Sequence, residues 1–269
     1  MADPSPVIAL PDDIATAISD TCVEKATLPA GRMIGLGLLA GSYIGFGSLV
    51  AVLIGAGASD LPFGLTQIAA GIGFALGLIL VLLAGAELFT GNTLMTLPLA
   101  QQRIGPGQLL RAWSLVWLAN LVGALLLALL AIGAGLHLAG DGAFATSAIE
   151  LAAEKTSKSA GSIVASGALA NMLVCLAVWM AAGAKSAVDK VAVIVPPVAA
   201  FVALGLEHSI ANMSLLPLGL LVQATTDAAM PAGLSWGAAG ANLLWSTLGN
   251  IVGGGVIGLG YWALYLRGK

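Results

Sequence analysis

Residues 203–219 read ALGLEHSIANMSLLPLG. Four polar side chains (Glu207, His208, Ser209 and Asn212) and then a proline, Pro217, fall inside an otherwise apolar run. Ionisable groups at membrane depth are costly and mark substrate or ion pathways. A helix that stops at such depth needs its freed backbone groups satisfied by protein or by a water-filled cavity. This stretch therefore reads as half of a transport site, and the rest of the chain has to supply the other half.

The composition agrees. Of 269 residues, 59% are hydrophobic and 9% charged, and the mean hydropathy is +1.00. Soluble domains carry roughly 25% charged residues, so the bulk of this chain does not face water. The net charge of -3 and the lack of any basic run point away from nucleic acid. The 36 glycines have no collagen-like period and suit close packing of membrane helices. The two cysteines, Cys22 and Cys175, fall in a polar tail and an apolar helix. A disulfide is not expected, and no spacing of metal ligands exists. No cofactor is expected.

Six apolar segments of about 20 residues, the length of a span, can be laid out at 33–54, 65–87 (with a short piece at 94–100), 109–136, 163–182, 191–222 and 240–266. The fifth is interrupted at 207–212. The start of the chain, MADPSPVIALPDDIATAISD, is acidic and lacks the basic region of a signal peptide. Residues 1–30 place Ile14, Ala17, Ile18 and Cys22 at helical spacing. They are expected to form a cytoplasmic amphipathic segment lying on the membrane or on the protein, ahead of a channel domain at 31–269. Under this layout Lys25, Arg32, Arg103, Arg111, Lys185, Lys190, Arg267 and Lys269 fall on one side, and only Lys155 and Lys158 on the other. Positively charged loops stay inside, so both termini are expected in the cytoplasm.

The chain also repeats itself. Glu87-Leu-Phe-Thr-Gly-Asn92 matches Glu207-His-Ser-Ile-Ala-Asn212, and both are followed by Pro-Leu-small at Pro98 and Pro217. Leu118-Ala-Asn120-Leu-Val-Gly123 matches Leu248-Gly-Asn250-Ile-Val-Gly253. Two halves of three spans follow, one at about 31–137 and the other at about 160–269. Three is odd, so the halves are expected to be inverted. Interrupted segments at matching places in inverted halves point to the permeation site. The fold class is thus an all-α membrane protein of six transmembrane helices in two inverted three-helix repeats, with the second and fifth helices broken.

Within the first break, Glu87 and Asn92 are suited to hold the loop, as Asn212 is in the second. Gly91 permits unusual backbone angles, and Thr90 has a hydroxyl to offer an anion or His208. His208 is one of two histidines; His137 sits at the end of the third span. Imidazole titrates near neutrality, which fits proton transfer to a weak-acid anion or pH sensing. Phe201 lies seven residues before His208, two turns away on one face; Phe74 and Leu78 are one turn apart. Such residues can form apolar gates or simply pack. Lys155, just before the fourth span, either raises anion concentration at a pore mouth or is a solvated loop charge.

At these residues the chain resembles the formate/nitrite transporter family. The resemblance is carried by 201–213, by Ala86 to Asn92, by Asn171 to Met180 and by Leu248-Gly-Asn250-Ile-Val-Gly-Gly, and it extends over all six spans. It implies an aquaporin-like protomer in a homopentamer of the inner membrane, passing small monovalent anions such as formate, nitrite, acetate, lactate or hydrosulfide. It also implies that His208 is the pore histidine, Thr90 the pore threonine and Asn171 the pore asparagine. Phe74, Leu78, Leu88 and Phe201 would form the constrictions and Val174 would line the path. Lys155 would be the vestibule lysine, with Glu207 beside the histidine. A membrane enzyme or pump would need a nucleotide loop or metal spacing that the sequence lacks. A neutral-solute channel of the aquaporin kind would show Asn-Pro-Ala repeats, which are missing. Between formate and nitrite, the Pro196-Pro197 pair and the run at 215–219 favour formate, while 241–245 leans to nitrite.

Overall fold

The computed structural model describes residues 9–58, 61–226 and 230–268. They are helical throughout, in the order α1 (Pro11–Thr27), α2 (Ala30–Gly55), α3 (Phe63–Leu80), α4 (Phe89–Asn92), α5 (Thr96–Ala100), α6 (Pro106–Gly133), α7 (Ala143–Ser157), α8 (Ala160–Gly183), α9 (Ala187–Ala203), α10 (Ser209–Gln223) and α11 (Trp236–Tyr261). A π-helical turn, Val81–Gly85, extends α3, and another, Trp262–Leu266, ends α11. Among the described residues five helices are long and apolar enough to cross a bilayer: Ala30–Gly55, Phe63–Gly85, Pro106–Gly133, Ala160–Gly183 and Trp236–Leu266. The expected fifth span is divided into α9, of 17 residues, and α10, of 15. At about 1.5 Å per residue, neither alone reaches across a ~30 Å hydrocarbon core.

Both breaks form in the same way. Each helix ends at a glycine with positive φ: Gly85 (φ 86°) after α3 and Gly205 (φ 63°) after α9. Only glycine adopts this left-handed conformation without a Cβ penalty. Ala86 and Leu88 in one break, and His208 in the other, are extended before the helix restarts. This corrects the sequence expectation for Gly91. It sits inside α4, and the chain turns at Gly85 because the turn is needed at the helix end, not at its restart. Asn212 and Pro217 likewise lie within α10.

Helix packing rests on the glycines. A Cβ at Gly123 of α6 would collide with the Leu38 carbonyl of α2, and one at Gly253 of α11 with the Ala168 carbonyl of α8. These pairs lie 130 residues apart, so α2–α6 and α8–α11 make the same backbone-to-backbone contact. Gly123→Ala and Gly253→Ala are expected to destabilise the detergent-solubilised protein by about 1–3 kcal/mol each through overpacking. Gly107→Ala, at a site with nothing within 4 Å, is not. Thermal unfolding of the three variants checks this. An unchanged midpoint for Gly253→Ala would refute the close packing.

Two short helices complete the layout. α1 buries Ile14, Ala15, Ile18, Ser19, Cys22 and Ala26 against the protein; Ala15, not the expected Ala17, faces inward. Burial pushes the Cys22 thiol up to about 12, and both cysteines are free. Arg103 binds Asp20 (2.7 Å) and donates to Ser19 (2.7 Å), pinning α1 to the end of α5. α7, which hydropathy did not reveal, buries Phe144, Ala145, Ala148, Ile149, Ala152 and Lys155. The first five match Ile14, Ala15, Ile18, Ser19 and Cys22 of α1 at an offset of 130. α10 lies at the centre, buried along almost its whole length and packed on α2, α6, α7 and α11.

Candidate functional site

Each break is closed by one asparagine from the last long helix of its half. Asn120 on α6 accepts from the Phe89 N–H (3.0 Å) and donates to the Gly37 and Glu87 carbonyls (2.8 and 2.9 Å). Asn250 on α11 accepts from the Ser209 N–H (2.8 Å) and donates to the Gly167 and Glu207 carbonyls (2.8 and 3.0 Å). Both are fully buried. An interrupted helix would otherwise leave backbone groups unpaired in an apolar interior, and a single amide serves an N–H and two carbonyls at once. The sequence showed these asparagines as a matching pair but not as the groups that hold the breaks. A buried amide in an otherwise apolar span was the available signal.

The glutamates anchor the loops from the other side. Glu87 accepts from Asn92 (2.8 Å) and pairs with Lys25 of α1 (3.1 Å). Glu207 accepts from Asn212 (2.6 Å) and Asn242 (3.3 Å), and pairs with Lys155 of α7 (3.3 Å) and with Lys158 (2.8 Å). Lys155 is therefore no solvated loop charge. It is 6% exposed, and burial lowers its pKa while Glu207 opposes that. Lys25 enters the sequence pattern only as a charge that sets orientation. Its position, 130 residues before Lys155, was the missed clue.

His208 joins the two breaks. As the cap of α10, its Nδ1 accepts the Ala211 N–H (3.1 Å). A backbone N–H can only donate, so a neutral ring carries its hydrogen on Nε2. Nε2 lies 3.0 Å from Thr90 Oγ1 and donates to it, which frees the threonine hydroxyl to donate in turn. His208 thus has one working nitrogen. Its ring stacks on Phe201 (5.6 Å between centroids), and Phe201 meets Phe74 edge-on (5.4 Å). His137, in the turn after α6, is half-buried and takes no part.

Two cavities approach this centre from opposite ends. One, of about 940 Å³, opens beside α7; Lys155, Lys158, Phe74, Phe201 and His208 are among its lining. The other, of about 550 Å³, opens beside α1 and reaches Glu87, Leu78, Leu88, Gly91 and Leu94. Among the described residues none lines both. The dividing waist holds the His208–Thr90 contact with Asn171 beside it; Asn171 and Val174, three residues further along α8, are buried and neither lines either of these cavities. The amide nitrogen of Asn171 faces the Thr90 carbonyl (3.3 Å), Thr93 Oγ1 (2.9 Å) and the Asn250 carbonyl (2.6 Å). Its Oδ1 is buried without a hydrogen-bond partner. Phe74 and Leu78, one turn apart on α3, therefore bound different cavities. Among the described residues no group of three or more His, Cys, Asp or Glu is placed to hold a metal ion.

Comparison with known proteins agrees with this geometry. The sequence profile of the formate/nitrite transporter family matches residues 12–263. The formate channel FocA of Escherichia coli is 38% identical, over 97% of this chain and 95% of its own. The nitrite transporter NirC of Salmonella typhimurium is 38% identical, over 87% and 79%. A solved structure described as a pentameric formate channel with formate bound superposes with a TM-score of 0.82 at 36% identity, covering 88% of this chain and 98% of that one. With the paired helix breaks, the buried helical core and a profile that spans nearly its whole length, this chain belongs to the formate/nitrite transporter family of membrane channels and transporters.

Proposed function

We propose that the protein is a channel for small monovalent weak-acid anions, with formate its preferred substrate, and that His208 couples passage to protons. The observation that carries this is the buried His208–Thr90 contact at the waist between two lysine-bearing cavities, with the apolar Phe74–Phe201 and Leu78–Leu88 pairs on either side of it. A bare carboxylate pays a large desolvation penalty at such a waist, whereas the neutral acid does not. Lys155 and Lys25 draw the anion in, and the Phe74–Phe201 and Leu78–Leu88 constrictions reject its charged form. A hydronium proton from cavity water ordered by His208 passes to the anion, leaving the neutral acid and water, while the ring keeps its hydrogen on Nε2 and Thr90 relays the hydrogen bond across the waist. Asn171 and Val174 shape the passage. Glu207 and Glu87 hold the lysines in place, with Asn212 and Asn92 fixing the carboxylates.

The formate preference rests on full-length similarity to formate channels. Nitrite is the second reading, supported by the NirC similarity. We further propose five subunits around an axis, each with its own pore, as in the pentameric neighbour. The chain would sit in the inner membrane with both termini cytoplasmic. The two repeats would be inverted, each opened by a short helix, α1 or α7. Uptake of labelled formate into proteoliposomes, with nitrite as competitor, is the test. Saturable uptake that nitrite inhibits only at higher concentration is expected; uptake equal to that of protein-free vesicles would end the channel reading.

A further inference from the structure

The two mouths share a plan but not a charge. The cavity beside α1 is lined by Lys25, Arg32 and Lys190 against one carboxylate, Glu87. Lys25 is engaged with Glu87, while Arg32 and Lys190 have no acidic partner among the described residues. Two positive charges are left in excess. The cavity beside α7 carries Lys155 and Lys158 with Glu150 and Glu154 on its wall. Both lysines pair with Glu207 behind them, and Lys158 also binds Glu154 at 3.3 Å. The charged side chains that line it, two lysines and two glutamates, leave no positive charge in excess there. The counterpart of Arg32 in the second half is Ser162, so the cation at the α1 mouth is built into the sequence and is not a matter of side-chain posture.

A bilayer core of ~30 Å separates the mouths by several times the ~8 Å screening length of physiological salt. Each mouth therefore acts on anions in its own solution. We propose that the α1-side mouth, through Arg32 and Lys190, is a capture site for small anions, so that the pore saturates at lower anion concentration from that face than from the α7 face. This rests on the channel reading and on α1 lying in the cytoplasm. Microscopic reversibility fixes the form of the effect. At equal pH and zero membrane potential a passive pore passes dilute anion equally fast from both sides. A deeper well at one mouth lowers the half-saturating concentration from that side and lowers the maximal rate in the same proportion. The central waist, not the mouth, then sets the rate for dilute anion.

The experiment compares labelled-formate uptake into right-side-out and inside-out membrane vesicles from the same cells, with no formate inside and equal pH. At low ionic strength the half-saturating formate concentration is expected to be roughly threefold or more lower in inside-out vesicles, within the usual range of electrostatic focusing. The maximal rate should fall in proportion, and added salt should bring the two orientations together. The double variant R32Q/K190Q should raise half-saturation in inside-out vesicles towards the other value. E150Q/E154Q should lower it in right-side-out vesicles. Equal half-saturation in both orientations at low salt would overturn the proposal. So would the opposite order, or an asymmetry that neither salt nor R32Q/K190Q alters. Uptake no greater than in vesicles lacking the protein would instead defeat the channel reading, and this inference with it.

Discussion

His208→Phe is expected to reduce formate flux by about 100-fold, the lower range of what a positioned proton donor contributes, and to flatten its dependence on pH. The variant removes two things at once: the nitrogen that faces Thr90, and the acceptor that caps α10 through Ala211. His208→Asn separates them. Asparagine is a good N-cap residue, so its side-chain oxygen still accepts from the restarting helix, but it does not titrate. We expect His208→Asn to keep the unfolding temperature of the parent while losing pH-dependent flux. His208→Phe should lose both, with about 1 kcal/mol of stability lost with the cap. Flux in proteoliposomes across a pH series, alongside thermal unfolding, reads the two effects separately. If His208→Asn carried formate with the parent's pH profile, the histidine would be only a cap and the proton would come from elsewhere.

Asn250→Leu has the largest expected effect on the fold. The leucine fills the volume but satisfies nothing. The Ser209 N–H and the Gly167 and Glu207 carbonyls lose their side-chain partner inside an apolar core. Each buried polar group left unpaired costs about 1–3 kcal/mol, so the total loss is expected at about 3–5 kcal/mol, a large fraction of the marginal stability of any fold. Asn120→Leu should cost a similar amount, because Asn120 makes the same three bonds in the other half. Thermal unfolding in detergent and the yield of folded protein measure both. A near-normal unfolding temperature for Asn250→Leu would show that water or another donor closes the second break. Glu207 lies next to this joint, so the variant should also disorder the hold on Lys155 and reduce flux in whatever protein remains folded.

Much of the site could be read along the chain because its chemistry is unusual for its setting. Glu207, His208 and Asn212 stand out in 203–219 since polar groups at that depth need a reason. Their likeness to Glu87–Asn92 showed that there were two breaks, not one. Helical spacing set Phe201 two turns, about 10 Å, from His208; the break at Gly205 and the extended His208 instead bring the rings to 5.6 Å, so their stacking was not legible in the spacing. Other parts were hidden. α7 is too short and too polar to register as a span, so spacing alone left Lys155 as either a pore-mouth lysine or a loop charge. Lys25 is separated from Glu87 by 62 residues, and nothing local announces that pairing. Asn120 was visible as half of a repeat, but its role needs the carbonyl of Gly37 and the amide of Phe89 to be in the same place.

The sequence by itself determined that the chain is a helical membrane protein in which one polar motif occurs twice, with one histidine among the polar residues. Those properties follow from hydropathy, periodicity and residue type, which are local. Only the tertiary structure decided where the chain turns, which amides close the breaks, which lysine meets which glutamate, and which nitrogen of His208 is left to work. Those properties depend on groups that are distant in sequence and brought together by helix packing. Gly85 and Gly205 set the turns, and Asn120 and Asn250 lock them. Once Ala211 claims Nδ1, the geometry leaves His208 a single nitrogen, aimed at Thr90 across the waist between the two cavities.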